Sequence, residues 1–281
     1  MSNFSIGIMA DSLKLSFADS MKKARELGAD GVQIYATKGE MAPENLTPAL
    51  IAEKRRIITD NGLVVSALCG DLEGHGFQIA EENVWKVEKS KRIVDLALEL
   101  GSKIVTTHIG VIPDEKNDTY KIMQEACNEL AEYGDNMGAY FAIETGPEPS
   151  ARLRDFIGDL SSKAVRVNFD PANLAMVIGE KAEDAVVILM DYIVHTHAKD
   201  GIMLSKTEPE VIYDPSFKHE NVGDIEYFRE VPLGEGSVDF DKYLAELRKA
   251  NWSGFLTIER ECGEDPYADI KKAVEFLKAR I

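Results

Sequence analysis

Short apolar runs rich in β-branched residues alternate along the chain with longer stretches in which apolar side chains return every third or fourth position. The short runs predict eight strands, at Phe4–Met9, Gly31–Tyr35 and residues 64–68, 103–107, 140–143, 164–168, 193–197 and 255–258. The longer stretches predict helices over Phe17–Leu27 and residues 47–61, 84–100, 119–136, 239–250 and 268–280. A glycine marks the change of period: Gly28, Gly62, Gly101, Gly138 and Gly254 each stand just before an apolar run, where a helix can close in the left-handed conformation that glycine accepts. Strict alternation of short apolar strands with helices predicts a parallel sheet covered on both faces. Eight units predict an α/β fold closed as a (β/α)8 barrel, one domain over residues 1–281, with an open doubly wound sheet as the alternative. The first strand–helix turn, Ala10-Asp11-Ser12-Leu13, lacks the G-x-G-x-x-G of a dinucleotide-binding sheet. Residues 198–237, about forty after the seventh strand, break the rule of short connections; they should overhang the barrel mouth and act as a lid.

Composition narrows the partners. The length of 281 residues is close to the roughly 250 of an eightfold barrel. A formal net charge of −17, with no Lys/Arg cluster, argues against nucleic acid. No apolar run approaches the ~20 residues of a membrane span, and Met1-Ser2-Asn3-Phe4 does not open a signal peptide, so no membrane partner and a cytoplasmic location are expected. Cys69, Cys127 and Cys262 are widely spaced and unpaired in pattern, which indicates neither a disulfide framework nor a structural zinc site. Homo-oligomerisation is left open.

In an eightfold barrel the chemistry gathers at the C-terminal ends of strands, so each apolar run can be followed to its first polar residue. Four runs end directly on an acid or an imidazole: Ala142-Ile143-Glu144, Val167-Asn168-Phe169-Asp170, His195-Thr196-His197 and Thr257-Ile258-Glu259. Strand alternation puts Glu144, Asp170, His197 and Glu259 on the inward parity together with Ala142, Asn168, His195 and Thr257. Three converging carboxylates repel one another unless a cation or shared protons intervene. One divalent metal ion is therefore expected, held by Glu144, Asp170, His197 and Glu259. Three oxygen donors and one imidazole suit Mn²⁺ first, or Mg²⁺, with Co²⁺ and Zn²⁺ as substitutes.

The segments VNFDPANL (167–174), HTHAKD (195–200), PLGEGSVDF (232–240) and LTIERE (256–261) resemble the xylose-isomerase-like superfamily of TIM-barrel sugar isomerases and epimerases, which includes endonuclease IV. The resemblance to its ketose 3-epimerases implies that Glu144, Asp170, His197 and Glu259 bind one metal, and that Glu144 and Glu259 also exchange protons with a keto-sugar. Three positions depart from the pattern. Asn173 stands where a histidine is common, Gln33 where a second-strand carboxylate is common, and Lys199-Asp200-Gly201 where an arginine contacts substrate. Five histidines in all are too few for a trinuclear endonuclease-type centre.

The expected chemistry is removal of a proton next to a carbonyl, passage through an enediolate and return of a proton, with Glu144 and Glu259 as the catalytic pair. His108, Asn173, Lys199 and His75 are the candidates for substrate contact. Each also has a plain structural reading: a hydrogen bond in the mouth for His108, a helix cap for Asn173, a surface lysine for Lys199 and a solvated loop for His75. Rivals on the same site are aldose–ketose isomerisation and cleavage of a 3-keto-glycoside. A non-catalytic sugar-binding barrel is the rival of another class.

Overall fold

The computed structural model describes residues 4–214 and 225–281. Ten strands run in chain order: β1 Phe4–Met9, β2 Gly31–Tyr35, β3 Val64–Cys69, β4 Ile104–Thr107, β5 Tyr140–Glu144, β6 Val165–Phe169, β7 Ile193–Ala198, β8 Asp200–Met203, β9 Phe228–Val231 and β10 Gly254–Ile258. Eight of them close a parallel barrel in the order β1-β10-β7-β6-β5-β4-β3-β2. The helices are α1 Phe17–Leu27, α2 Pro48–Asp60, α3 Ala80–Glu99, α4 Asp118–Met137, α5 Ser150–Gly158, α6 Pro171–Asn173, α7 Ala182–Leu189, α8 Pro209–Tyr213, α9 Phe240–Lys249 and α10 Pro266–Lys278. The open-sheet alternative is thereby excluded.

Local chemistry explains most of the boundaries. Ser16, Thr47 and Asn117 accept from backbone N–H groups in the first turns of α1, α2 and α4, and Gly28 and Gly138 close α1 and α4 in left-handed conformation. Gly254 does not act this way. It lies inside β10, and Asn251, at φ 54°, takes the left-handed position after α9. Asparagine tolerates that region through local hydrogen bonding, which is why the glycine signal misplaced the stop.

The barrel interior prepares the site. Barrel layers are commonly filled by branched aliphatic side chains. Here Gln33, Thr106, Asn168, His195 and Thr257, from five strands, form a buried polar layer beneath the mouth. Gly7 opposite Thr257 lets the layer close, since a Cβ there would stand 2.5 Å from the threonine hydroxyl.

The connection at residues 198–237 is not the open loop its length implied. Its ends pair as an antiparallel hairpin, Asp200 opposite Val231 through Met203 opposite Phe228, and α8 follows the outgoing strand. The expected lid also includes residues 215–224, which lie outside the described residues. No helix of the described residues is long and apolar enough to cross a membrane.

Candidate metal centre and cavity

Glu144 ends β5, Asp170 follows β6, His197 lies near the end of β7 and Glu259 follows β10. All four are buried, and one ligand atom from each falls within 4.8 Å of all the others. The convergence read from strand parity is therefore present in the structure.

Each side chain is held by partners that keep a ligand atom turned toward the other three. Asp170 caps α6: Oδ1 accepts from the N–H groups of Ala172 and Asn173 at 2.8 and 3.0 Å, while Oδ2 turns to His197 Nδ1 at 3.3 Å. The same Nδ1 lies 3.4 Å from Glu259 Oε2 and 3.6 Å from Glu144 Oε1. The opposite ring nitrogen, Nε2, is 3.1 Å from Gln33 Oε1. Gln33 also donates through Nε2 to Thr106 Oγ1 at 2.9 Å, and its Oε1 lies 2.8 Å from His195 Nε2. With Gln33 Nε2 committed as donor, its Oε1 faces the two imidazoles as acceptor. This directs the Nε2–H of His197 at Gln33 and leaves Nδ1 facing the carboxylates. Glu144 accepts from Asn168 Nδ2 and Asn173 Nδ2, both at 3.0 Å, and His108 Nε2 stands 3.5 Å away.

The electrostatics describe a cation site. Burial opposes ionisation of Glu144, but His197 and His108 outweigh it and hold the carboxyl well below its usual range. Glu259 is likewise opposed by burial and brought down to about 2 by Lys199 and His197. Burial should lower the pKa of His197, yet Glu259 and Glu144 carry it well above its usual value. The cluster draws positive charge toward Nδ1, the same point at which three carboxylates offer hard oxygen donors and one imidazole a borderline nitrogen. These residues fit a divalent ion. His195, one layer deeper, is pushed down to about 3 by burial and by His197, so it stays neutral.

Above the cluster is a cavity of about 230 Å³ whose lining includes Tyr35, Asp71, His108, Asn173, Lys199 and Tyr213. Lys199 is buried; its Nζ donates to Glu259 Oε2 at 2.9 Å and to Glu261 Oε2 at 2.5 Å. Asn173 lines the cavity rather than capping a helix, the cap being Asp170. The His108 ring packs against Tyr213, centroids 5.4 Å apart, and its buried Nδ1 has no hydrogen-bond partner among the described residues. His75 is not among the lining residues. Its ring nitrogens stand 3.5 Å from Asp214 and 3.9 Å from Glu82.

The structure adds residues that strand-end reasoning missed. Gln33 had a signal, a lone amide inside the apolar run of β2. Glu230 on β9 and Tyr213 on α8 had none, because they reach the cavity through a segment read as loop.

A family model described as "Xylose isomerase-like TIM barrel" matches residues 21–280. L-ribulose-5-phosphate 3-epimerase UlaE of Escherichia coli O157:H7 is 23% identical over 283 residues, spanning 94% of this chain and 89% of that protein. A xylose isomerase domain protein from Planctomyces limnophilus superposes with a TM-score of 0.79 at 24% identity, covering 98% of this chain and 96% of the other. A xylose isomerase-like TIM barrel protein from Mycobacterium smegmatis, solved in complex with magnesium, superposes at 0.72 with 17% identity over 98% of this chain and 97% of the other.

Proposed function

The chain belongs to the xylose isomerase-like TIM barrel family, and on that premise we propose that it is a divalent-metal-dependent sugar epimerase or isomerase working by proton transfer next to a carbonyl. The observation that carries this reading is the buried meeting of Glu144, Asp170, His197 and Glu259 at the floor of a cavity large enough for one sugar ring. The epimerase named among its relatives supports the same class of chemistry.

Glu144, Asp170, His197 and Glu259 would hold the ion, with Mn²⁺ first and Mg²⁺, Co²⁺ or Zn²⁺ able to serve. When bound, the ion supplies Lewis-acid stabilisation of negative charge developing on a substrate carbonyl oxygen. Glu259 is the base. Lys199 holds its carboxylate ionised and in place, and the cavity wall keeps bulk water from competing for the carbon-bound proton. Glu144 rests ionised as the partner on the return path: His108 at 3.5 Å, lifted to about 9 against its burial by the Glu144 charge, is placed to supply the proton that Glu144 relays, and Asn173 fixes the carboxylate plane. A proton leaves the carbon to Glu259, and one returns from Glu144, so the sugar changes configuration without net loss or gain of atoms.

Turnover of keto-sugars in deuterated water tests the proposal. Deuterium is expected at the carbon beside the carbonyl, in product and in recovered substrate. Product formed without deuterium would indicate a hydride shift and remove both carboxylates from the proton path.

A further inference from the structure

We propose that the sugar taken by this site is uncharged, a free sugar or a neutral glycoside, and not a phosphate ester; this rests on the proton-transfer reading above and departs from the phosphorylated substrate in the name of the E. coli relative.

The walls carry the first half of the case. Five carboxylates line the cavity: Asp71, Glu144, Glu230, Glu259 and Glu261. Against them stand Lys199 and the imidazole of His108. The lysine is committed, with Nζ 2.9 Å from Glu259, 2.5 Å from Glu261 and 3.8 Å from Glu230. A divalent ion at the floor would offset two of the five charges, and Lys199 and His108 up to two more, so the cavity holds no surplus positive charge for a phosphate dianion.

The second half lies in the backbone. Barrels that bind phosphate commonly do so through free N–H groups on the loops after the last strands and at helix N-termini. In this chain several of the corresponding donors already hold the protein's own carboxyl groups. The clearest instance follows β7, where Asp200 is buried and accepts from Gly201, Gly234, Gly236 and Val238 at 2.9, 3.0, 2.9 and 3.1 Å. Four converging N–H groups are a ready anion cradle, and Asp200 fills it. After β10 the N–H of Glu261 goes to Glu230 at 3.1 Å, and the Arg260 guanidinium goes to Glu230 and Asp269 at 2.5 and 2.8 Å. After β4 and β5 the N–H groups of Ile112 and Ser150 go to Glu148 and Glu180 at 3.2 and 2.9 Å. The first turn of α6 is taken by Asp170. A phosphate dianion arriving among the described residues would meet carboxylate-rich walls and, at these turns, backbone donors already taken. Hydroxyl groups suit the same walls, because each can donate to a carboxylate.

The test uses metal-loaded, full-length protein and a panel of ketopentoses and ketohexoses, each run beside its own terminal phosphate ester. Deuterium exchange next to the carbonyl is expected with neutral sugars, and kcat/KM for the ester should be lower by about 10²-fold or more, since juxtaposed like charges discriminate strongly. Glu261→Gln should narrow that ratio by removing one wall charge. An ester exchanging as well as its neutral partner would overturn the inference while leaving the proton chemistry intact. Calorimetric titration with the same pairs reads binding without turnover. Equal or tighter binding of the ester overturns the inference even where nothing exchanges. Preference for the neutral sugar without any exchange supports it and sinks the proton-transfer reading instead.

Discussion

Replacing Gln33 by Leu separates the support of the metal centre from the centre itself. The side chains are close in volume, so the change opens little cavity, but it removes the acceptor facing His195 Nε2 at 2.8 Å and His197 Nε2 at 3.1 Å. Leaving a buried donor unsatisfied costs roughly 1–3 kcal/mol. His195 keeps a second partner in Thr257 Oγ1 at 3.1 Å, whereas the other neighbour of His197 Nε2 is the Asn168 amide nitrogen at 3.2 Å, itself a donor. The loss therefore falls mainly on His197, and a total of about 2–4 kcal/mol is expected in denaturant unfolding of the metal-free protein, within the stability of an ordinary domain. Without Gln33 the His197 ring loses the acceptor that orients it, and losing such a partner weakens metal affinity by about 10–100-fold. Mn²⁺ titration of folded variant and parent, side by side, makes the comparison. Affinity within twofold of the parent in a variant shown to be folded would mean that His197 is not oriented through Gln33, or is not a ligand.

Lys199→Met should lower stability by about 3 kcal/mol, because it strands Glu259 in a buried setting, and should raise the pH at which activity is lost on acidification; an unchanged acid limb would detach Lys199 from Glu259. Glu148 is pushed up to about 8 by burial, only partly offset by the Ile112 N–H, so the folded chain keeps a proton that an unfolded glutamate at 4.5 has released. Its contribution to stability is therefore lost as pH rises between about 4.5 and 8, and Glu148→Gln should gain on the parent across that window by up to a few kcal/mol. Parallel stability–pH curves for the two proteins would refute this. Gly236→Ala would place a Cβ 2.2 Å from Asp200 Oδ1, so it should destabilise by about 2 kcal/mol or more in thermal or denaturant unfolding, and a neutral substitution would mean that the turn around Asp200 is not rigid.

The barrel was legible because its signals are local. A glycine or capping residue marks the ends of α1, α2 and α4 by backbone geometry, and strands buried on both faces read as plain apolar runs. The boundaries predicted for Phe4–Met9, Gly31–Tyr35 and Phe17–Leu27 coincide with the structure, while β5, β6 and β7 run past the predicted ends to Glu144, Phe169 and Ala198 because a polar tip was taken as a stop. Helices α5 and α7 escaped notice; α7, Ala182–Leu189, is apolar over most of its length and gives little 3.6-residue contrast. The four clustered residues followed from parity alone. The inward parity of Asn168 and the polar Gln33 inside β2 were visible too, but their partners were not, and Glu230 gave no signal, since a hydrogen-bond partner from another strand is set by tertiary register and leaves no periodic trace.

Stoichiometric titration of metal-free protein with Mn²⁺ probes the cluster of Glu144, Asp170, His197 and Glu259 most directly. One ion per chain is expected in the parent, with affinity sharply reduced in Asp170→Asn and His197→Ala, since each substitution alters one donor. No specific binding in the parent, or parental affinity in both variants, would contradict the assignment of these four residues as a metal centre.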